Sequence, residues 1–178
     1  PVSIEKKHIR LLSQNRYMVC EKTDGVRNFL VCFTDSQNRK ICALVNRSFD
    51  YTLYPLTIPR DTLLDGELLG DTFVIHDAVF VQGKDLRQNN LIERLAHARA
   101  IVKAILPIKQ LRVVCKTMFP YNEMEKLILD EKTTDGVIFT PVDEPVRMGT
   151  HITLFKWKPR DKITIDFYLK DEIGRAHV

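Results

Sequence analysis

A lysine, a carboxylate and an arginine surround one Asp-Gly pair in the stretch Glu21-Lys22-Thr23-Asp24-Gly25-Val26-Arg27. Apolar runs precede and follow the stretch, so its charged residues lie where two strands are predicted to meet. An Asp-Gly pair between apolar runs is by itself a strong signal for a hairpin turn that carries a surface lysine. The functional alternative is that Lys22 is a nucleophile, held beside cations that favour its neutral and reactive form.

Two carboxylates lie inside the apolar segment Leu63-Leu64-Asp65-Gly66-Glu67-Leu68-Leu69. Because side chains alternate along a strand, Asp65 and Glu67 are predicted to share one face. Two carboxylates on a half-buried face are destabilising unless cations, a metal or a polyhydroxylated ligand meet them. With Thr134-Asp135-Gly136, the chain has three Asp-Gly pairs, which are either ordinary turns or parts of one site.

A lysine pair follows in the segment Phe155-Lys156-Trp157-Lys158. In a strand the two lysines share one face, and the two aromatic side chains are predicted to face the core. Such a strand is either a solvated edge or a phosphate clamp, because ammonium groups are strong donors to phosphate oxygens. P-loop, HExxH and GxSxG motifs are absent, and the five histidines show no zinc-ligand spacing.

The composition suits one compact intracellular domain. The 178 residues are sufficient for a core, and a formal charge of +4 permits an anionic partner without requiring one. The four cysteines lie in apolar runs without a CxxC pair, which predicts buried, reduced thiols. No apolar run approaches the roughly 20 residues that span a bilayer, so no membrane partner is expected.

The hydrophobic pattern predicts an α+β fold of mostly antiparallel strands, with two sheets packed together. The clearest helix runs from Asn90 to Leu106 and ends at Pro107. The other predicted elements are a helix from Ser3 to Leu12, strands over 16–22, 27–34, 39–46, 62–69, 73–82 and 111–119, a helix over 122–131, and strands over 136–140, 152–158 and 163–169. Residues 47–60 are predicted to be loop-rich. We assign 1–170 to one domain and 171–178 to a tail that is disordered or foreign to the domain.

Together these segments resemble the covalent nucleotidyltransferase superfamily of mRNA capping guanylyltransferases and ATP-dependent ligases. The K-x-D-G-x-R hallmark of that superfamily matches residues 22–27. Its further motifs match, in order, Asn46-Arg47, Asp65-Gly66-Glu67-Leu68, residues 134–139 and Lys156-Trp157-Lys158. The form Lys22-Thr23-Asp24-Gly25 and the later Thr164-Ile165-Asp166-Phe167 look most like capping enzymes, especially those of large DNA viruses. The resemblance implies a nucleotidyltransferase fold of the ATP-grasp-like or DNA-ligase-like kind, with flanking helices.

The resemblance also implies a two-step reaction. Lys22 attacks the α-phosphate of GTP, pyrophosphate leaves, and the lysyl-N–GMP adduct passes GMP to the 5′-diphosphate end of RNA to form the GpppN cap. The implied cofactor is Mg²⁺ or Mn²⁺. The implied partners are GTP, 5′-diphosphate RNA and other capping domains in the same or an associated polypeptide. The implied location is the nucleus, or a viral cytoplasmic factory or virion.

Residue roles follow from the same resemblance. Lys22 is the catalytic residue, and Asp135 and Glu67 are the implied metal ligands. The residues expected to bind the nucleotide are Thr23, Arg27 (ribose), Arg47 (phosphates), Glu67 (ribose or metal), His76, Lys116, Lys156, Lys158 and Asp166. Lys116 is expected at the base, where an ammonium, which only donates, favours the O6 acceptor of guanine over the N6 donor of adenine.

The chain departs from the family pattern at two places. His76 stands where family members usually stack a Phe or Tyr on the purine, and Tyr51 or Phe49 is the alternative if His76 is turned away. Family members also continue into an OB-fold domain with a sixth motif, for which the residues after Asp166 leave no room. We therefore expect weak or no enzyme–GMP formation by this chain alone. The competing interpretations are the adenylation domain of an ATP-dependent RNA or DNA ligase, and a non-catalytic nucleotide- or RNA-binding module.

Overall fold

A computed structural model describes residues 1–58, 61–127 and 134–159. In chain order the elements are β1 (Val2–Ser3), a 3₁₀ helix (Lys6–His8), α1 (Ile9–Gln14), β2 (Tyr17–Thr23), β3 (Val26–Thr34), β4 (Lys40–Asn46), β5 (Tyr51–Leu53), β6 (Thr62–Leu69), β7 (Thr72–Val81), β8 (Lys84–Asp85), α2 (Leu91–Ala104), β9 (Arg112–Cys115), β10 (Phe119–Pro120), a second 3₁₀ helix (Tyr121–Lys126), β11 (Thr134–Pro141) and β12 (Phe155–Trp157). The predicted strand at 163–169, Asp166 and the proposed domain boundary at residue 170 lie outside the described residues.

The described strands form two sheets. The smaller sheet has the order β1-β12-β11-β2-β10, and the larger has the order β5-β4-β3-β6-β7-β8, with β9 also paired to β7. Every described strand pair is antiparallel except β1 with β12 and β7 with β9. The predicted α+β class with mostly antiparallel sheets is therefore confirmed.

The connection between β2 and β3 is not the hairpin that Asp24-Gly25 suggests. β2 pairs with β10 and β11 in the small sheet, whereas β3 pairs with β4 and β6 in the large sheet. The turn is a crossover between sheets, and it passes close to β6. A Cβ added at Gly25 would lie 2.8 Å from the carbonyl oxygen of Leu68, so the close approach requires glycine.

Helix α2 packs on both sheets and sets their relative position. Its Ala98 and Ile101 belong to the core of the large sheet, whereas Leu91 and Leu95 pack against Cys20 of the small sheet. The Asn90 side chain caps the helix by accepting a hydrogen bond from the Glu93 amide at 3.0 Å, as expected for an Asn N-cap. The predicted helix is confirmed, with its described end two residues before Leu106.

Several predicted boundaries are wrong because tertiary pairing overrides local preference. Ser3 belongs to β1 rather than capping a helix, since the amides of Val2 and Ile4 donate to Leu154 and Lys156 on the β12 side. The predicted strand 111–119 is divided between β9 and β10, and β12 is shorter than 152–158. The described part of the predicted helix 122–131 is a 3₁₀ helix, and the loop-rich passage contains the short edge strand β5.

Candidate active site

Lys22 lies near the end of β2, and its side chain reaches a carboxylate on the neighbouring strand. Lys22 Nζ donates to Asp135 Oδ2 at 2.7 Å, and Lys158 Nζ donates to the same oxygen at 2.6 Å. Partial burial acts in the opposite direction, but the hydrogen bonds from Lys158 and Lys22 hold the pKa of Asp135 below its ordinary value. Asp135 Oδ2 therefore binds both Lys22 and Lys158, the two residues that the resemblance assigns to phosphoryl transfer.

Gly136 makes this meeting of strands possible. Its φ of +136° is a backbone conformation that favours glycine, and a Cβ there would lie 2.0 Å from the carbonyl oxygen of Trp157. The register of β11 against β2 also shifts between Thr134 and Val137. The irregular stretch of β11 thus brings Asp135 against both Lys22 and Lys158.

Lys156 lies on the Lys22 face of the small sheet. The register aligns Cys20 with Ile138 and Ile138 with Lys156, and Lys22 follows Cys20 by two residues. Phe155, on the opposite face, is fully buried, as predicted. The prediction that Trp157 also faces the core is wrong, because its side chain is 44% exposed at the end of the short strand β12.

The opposite wall of the cleft is the large sheet, where Asp65 contacts Arg27 and His76. Arg27 donates to both Asp65 oxygens, at 2.9 and 2.5 Å, and His76 Nε2 lies 3.3 Å from Oδ1. Burial alone would raise the pKa of Asp65, but His76 and Arg27 lower it well below its usual range. His76 is therefore engaged with a carboxylate in this structure.

Glu67 shares the face of Asp65, as predicted from strand alternation. It lies directly across from Arg27 in the β3–β6 register. Burial raises the pKa of Glu67 above its ordinary value, opposed by the charges of His76, Lys22 and Lys116. Glu67 consequently lies within electrostatic range of residues from both sheets.

His76 occupies a bulge in β7. Asp65 aligns with Asp77, whereas the next residue, Gly66, aligns with Ile75, so His76 is the extra residue in this pairing. Tyr51, considered as an alternative to His76, lies on the edge strand β5, with β4 and β3 between it and β6. Phe49 lies on the exposed turn that precedes β5. Of these three rings, His76 is the one beside Asp65.

Lys116 is buried between the sheets. Its ammonium donates to Glu21 Oε1 at 3.0 Å and to the hydroxyl of Thr23. A cavity of about 410 Å³ opens beside this cluster, with Val74, Val114 and Phe119 among its apolar lining. The arrangement offers a donor and an acceptor at the wall of a largely apolar space, which is typical of a ligand pocket.

Arg47 lies on the exposed turn after β4. The charges of Lys156, Arg27 and Arg47 all act at the position of the Pro1 nitrogen. These three cations therefore act on one region of the molecule.

Sequence reasoning missed Glu21, Asp77 and Arg94. Glu21 directly precedes Lys22, but its partner Lys116 is 95 residues away, and no spacing rule indicates that contact. The buried Arg94 of α2 binds both oxygens of Asp77, at 2.6 and 2.9 Å, next to the bulge at His76. An arginine in the middle of an apolar helical pattern was the available signal.

Asp135 and Glu67 fit an ion that arrives with a nucleotide better than a preformed metal site. Within 1–58, 61–127 and 134–159, no three His, Cys, Asp or Glu side chains converge as a metal-binding group. Mg²⁺ is commonly held by one or two carboxylates together with substrate phosphates. Asp135 bonds Lys22 directly, and Glu67 feels its charge, so both carboxylates border the same amine.

Within the described part of the chain, no helix combines the length and apolar character needed to cross a bilayer. The four cysteines are free, and burial raises the pKa of Cys20 to about 12, which makes that thiol unreactive.

Comparison with known proteins supports the resemblance. A family model described as mRNA capping enzyme, catalytic domain, matches residues 1–160. The mRNA-capping enzyme subunit alpha of Schizosaccharomyces pombe is 29% identical over 214 residues, covering 98% of this chain and 53% of that protein. The same subunit of Eremothecium gossypii is 31% identical over 222 residues, covering 97% and 47%. The mRNA-capping enzyme of Danio rerio is 26% identical over 203 residues, covering 96% and 33%.

The chain spans about half the length of the first curated relatives it matches. These relatives are fungal and vertebrate, so the likeness to enzymes of large DNA viruses stays a prediction.

Two solved structures share the fold. A mycobacterial DNA ligase D complexed with ATP and MES superposes with a TM-score of 0.55 at 16% identity, covering 80% of this chain and 54% of that one. The ligase domain of M. tuberculosis LigD gives 0.54 at 17% identity, covering 80% and 53%. At such identities the likeness concerns the fold alone, and it confirms the DNA-ligase-like nucleotidyltransferase architecture.

Proposed function

Because the chain belongs to the mRNA capping enzyme family, whose catalytic domain it matches over residues 1–160, we propose that it is a guanylyltransferase domain. It would transfer GMP from GTP, through a lysyl-N–GMP adduct on Lys22, to the 5′-diphosphate end of RNA. The observation that carries the proposal is the meeting of Lys22 and Lys158 on one oxygen of Asp135. A nucleophile beside a second cation and a carboxylate is the set that phosphoryl transfer needs.

In the first step, the neutral amine of Lys22 attacks the α-phosphorus of GTP. The N–P bond forms while the bond to the bridging oxygen breaks, pyrophosphate leaves with that electron pair, and the lysine nitrogen releases one proton to solvent. In the second step, an oxygen of the RNA 5′-diphosphate attacks the same phosphorus, and the N–P electron pair returns to Lys22. Lys156, Lys158 and Arg47 would stabilise the negative charge that develops on the phosphates.

The carboxylates of Asp135 and Glu67 would hold Mg²⁺ or Mn²⁺ together with phosphate oxygens. Such an ion, when bound, neutralises phosphate charge and polarises the bond to the leaving group. If Asp135 held such an ion, its hydrogen bond to Lys22 would be weaker, because one oxygen cannot serve both cations equally. Arg27 would then remain with Asp65 at the ribose side of the cleft.

The base would enter the cavity beside Lys116. The ammonium of Lys116 is suited to the O6 acceptor of guanine and unsuited to the N6 donor of adenine, which supports GTP as the substrate. The Thr23 hydroxyl, on β2 of the opposite sheet, accepts a hydrogen bond from Lys116 and holds its ammonium in place. His76 and Glu67 line the same side of the large sheet and would border the base and ribose.

Further parts of the proposal concern the whole protein. We expect 5′-diphosphate RNA as the acceptor, other capping domains in the same or an associated polypeptide, and a location in the nucleus or in a viral factory or virion. Asp166 is expected to contribute to the nucleotide site, although it lies outside the described residues.

Labelled nucleotides test the proposal. A covalent adduct that is labile in acid and stable in alkali, as expected of a phosphoramidate, should form with [α-³²P]GTP, and none with [α-³²P]ATP. Lys22→Ala should abolish the adduct, while the exposed Lys84→Ala should retain it. An adduct formed from ATP alone would overturn the proposal in favour of a ligase, and no adduct from either nucleotide in the full-length protein would indicate a non-catalytic module.

A further inference from the structure

We propose that Glu21 is a specificity-determining residue that reads the N1–H and 2-amino donors of guanine while Lys116 reads O6. The inference rests on the proposed function and adds an acceptor to the base site, where the family pattern points to a donor. It begins from the ion pair that joins the two side chains, Glu21 Oε1 to Lys116 Nζ at 3.0 Å.

The burial of the pair is unequal, and this leaves Glu21 able to meet a ligand. The Lys116 side chain is 7% exposed, whereas that of Glu21 is 31% exposed, and both line the cavity of about 410 Å³. Among the described residues, the Glu21 carboxylate accepts one hydrogen bond, through Oε1. Its other oxygen has no hydrogen bond within the described part of the chain and can accept one from a ligand.

The cavity lies between the two sheets, on the side of the nucleotide residues. Val74 in β7 is directly across from Glu67, and Val114 and Lys116 lie two residues apart in and just after β9. Glu21 is contributed by the opposite sheet, on β2. The ion pair thus links the two sheets at the end of the cleft where the guanine base is proposed to bind.

The polarity of the pair matches one purine edge. A carboxylate only accepts and an ammonium only donates. Guanine presents the acceptor O6 beside the donors N1–H and N2–H₂, whereas adenine presents a donor at position 6 beside the acceptor N1. With Lys116 beside Glu21, the ammonium can donate to O6 of guanine while the carboxylate accepts from N1–H and N2–H₂. Adenine in the same position would place its N6 donor against the ammonium and its N1 acceptor against the carboxylate.

The alternation of β2 gives Glu21 this task without disturbing Lys22. Glu21 and Thr23 both contact Lys116, whereas Lys22, between them, turns to Asp135. The residue that reads the base and the nucleophile are therefore consecutive in one strand, with side chains that contact different partners. A guanine held by Glu21 consequently fixes its nucleotide relative to Lys22.

The test measures dissociation constants of GTP, ITP and ATP for the wild-type chain, Glu21→Ala and Glu21→Gln, by calorimetry. ITP lacks the 2-amino group, so it isolates one of the two donors. In Glu21→Ala we expect GTP binding to weaken about 10- to 100-fold, as for the loss of a charge-assisted hydrogen bond, ITP binding to weaken less and ATP binding not to weaken. Glu21→Gln, which keeps one acceptor oxygen, should lie between.

The matched control is Glu123→Ala, which removes another acid paired with a cavity-lining lysine, Lys126, at 2.6 Å. Its GTP to ITP ratio should equal that of the wild type. Equal weakening of all three nucleotides in Glu21→Ala would mean a general disturbance of β2 and would overturn the inference, as would an unchanged GTP to ITP ratio. If the wild-type chain binds GTP and Glu21→Ala keeps the wild-type preference for GTP over ITP and ATP, the role of Glu21 is refuted and the proposed function is retained. If the wild-type chain binds none of the three nucleotides, both the role of Glu21 and the proposed function are refuted.

Discussion

At the residue scale, one oxygen of Asp135 governs how Lys22 is held. An ammonium bonded to a carboxylate has no lone pair for attack, and Asp135 Oδ2 bonds both Lys22 and Lys158. Phosphate oxygens offer Lys158 another acceptor, and a metal ion offers Asp135 another cation. Binding of the nucleotide would therefore loosen the hydrogen bond between Lys22 and Asp135.

Removing Lys158 tests this arrangement. We expect Lys158→Ala to slow adduct formation by about 10²–10³-fold, as for loss of one donor to the developing charge, while Lys158→Arg retains part of the rate. Single-turnover labelling with GTP measures the rate, and Lys84→Ala, an exposed lysine on β8, is the control. An unchanged rate in Lys158→Ala would show that its ammonium takes no part in the transfer.

The His76–Asp65 contact predicts a pH dependence of stability. Burial opposes it, but the Asp65 carboxylate raises the pKa of His76 above its ordinary value of 6.5, with Asp77 and Glu67 adding to the effect. Between the unfolded and native pKa values, the native state keeps a proton on His76 that the unfolded chain releases. The protonated His76 therefore stabilises the native state fully below about pH 6.5, and this stabilisation is lost as pH rises through the native pKa. Urea unfolding between about pH 6 and pH 9 should therefore show the wild type losing more stability than His76→Gln. Parallel curves for the two proteins would contradict the prediction.

At the scale of elements, Arg94 connects α2 to three other segments. It binds Asp77 of β7 with two hydrogen bonds, and its Nη1 donates to the carbonyls of Asn89 and Glu144 at 2.6 and 3.0 Å. Glu144 follows β11, which carries Asp135 of the small sheet. Arg94 thus ties the bulged strand of one sheet to a loop that leaves the other.

Replacing Arg94 is expected to destabilise the chain, because the Asp77 carboxylate loses its cationic partner. Asp77 also lies across from another carboxylate, Asp65, in the β6–β7 register. We expect Arg94→Gln, at a side chain 3% exposed, to lower the free energy of unfolding by about 3–5 kcal/mol. Arg87→Gln is the matched control, since Arg87 binds Asp85 in a similar fork but is 54% exposed, and its effect should stay within about 1 kcal/mol. Denaturant unfolding measures both, and similar losses would show that burial of the pair is unimportant.

The close approach of β12 to Gly136 of β11 can be tested by adding a Cβ at that position. Gly136→Ala should destabilise the chain more than Gly70→Ala, because both positions have positive φ but only Gly136 has backbone within the space of a Cβ. The backbone conformation alone costs about 1–2 kcal/mol at Gly70. Thermal or urea unfolding measures both variants. The additional loss of stability in Gly136→Ala over Gly70→Ala is the effect of the clash with the Trp157 backbone. Equal losses at the two sites would show that β12 moves aside freely.

At the scale of the whole molecule, the site is a cleft between two sheets that α2 holds together. Lys22 and Asp135 come from the small sheet, and Arg27 and Glu67 from the large one. The chain covers about half of the fungal relatives, and the resemblance places an OB-fold with a further motif after this domain. Labelled GTP should therefore give a weaker adduct with this chain than with a polypeptide of the relatives' full length. An equally strong adduct from both would show that the domain completes the first step alone.

The sequence by itself determined the local features. Strand alternation predicted that Asp65 and Glu67 share a face, and the 3.6-residue period with Pro107 predicted α2. The ordered motifs singled out Lys22, Asp135, Lys156 and Lys158 as candidate site residues. Each of these depends on neighbours within a few residues or on a pattern carried by the residues themselves. Boundaries were poorly predicted where a strand is made by its partner, as at β1 and β9.

Only the tertiary structure decided how the pieces meet. Asp24-Gly25 has the local chemistry of a hairpin, yet it is the crossover that places Lys22 on one sheet and Arg27 on the other. The pairs Glu21–Lys116 and Asp77–Arg94 were likewise invisible, because ion pairs between distant segments depend on strand order and on register. Local sequence sets φ, ψ and side-chain alternation, whereas strand order is a compromise over all the apolar surface that the whole chain buries.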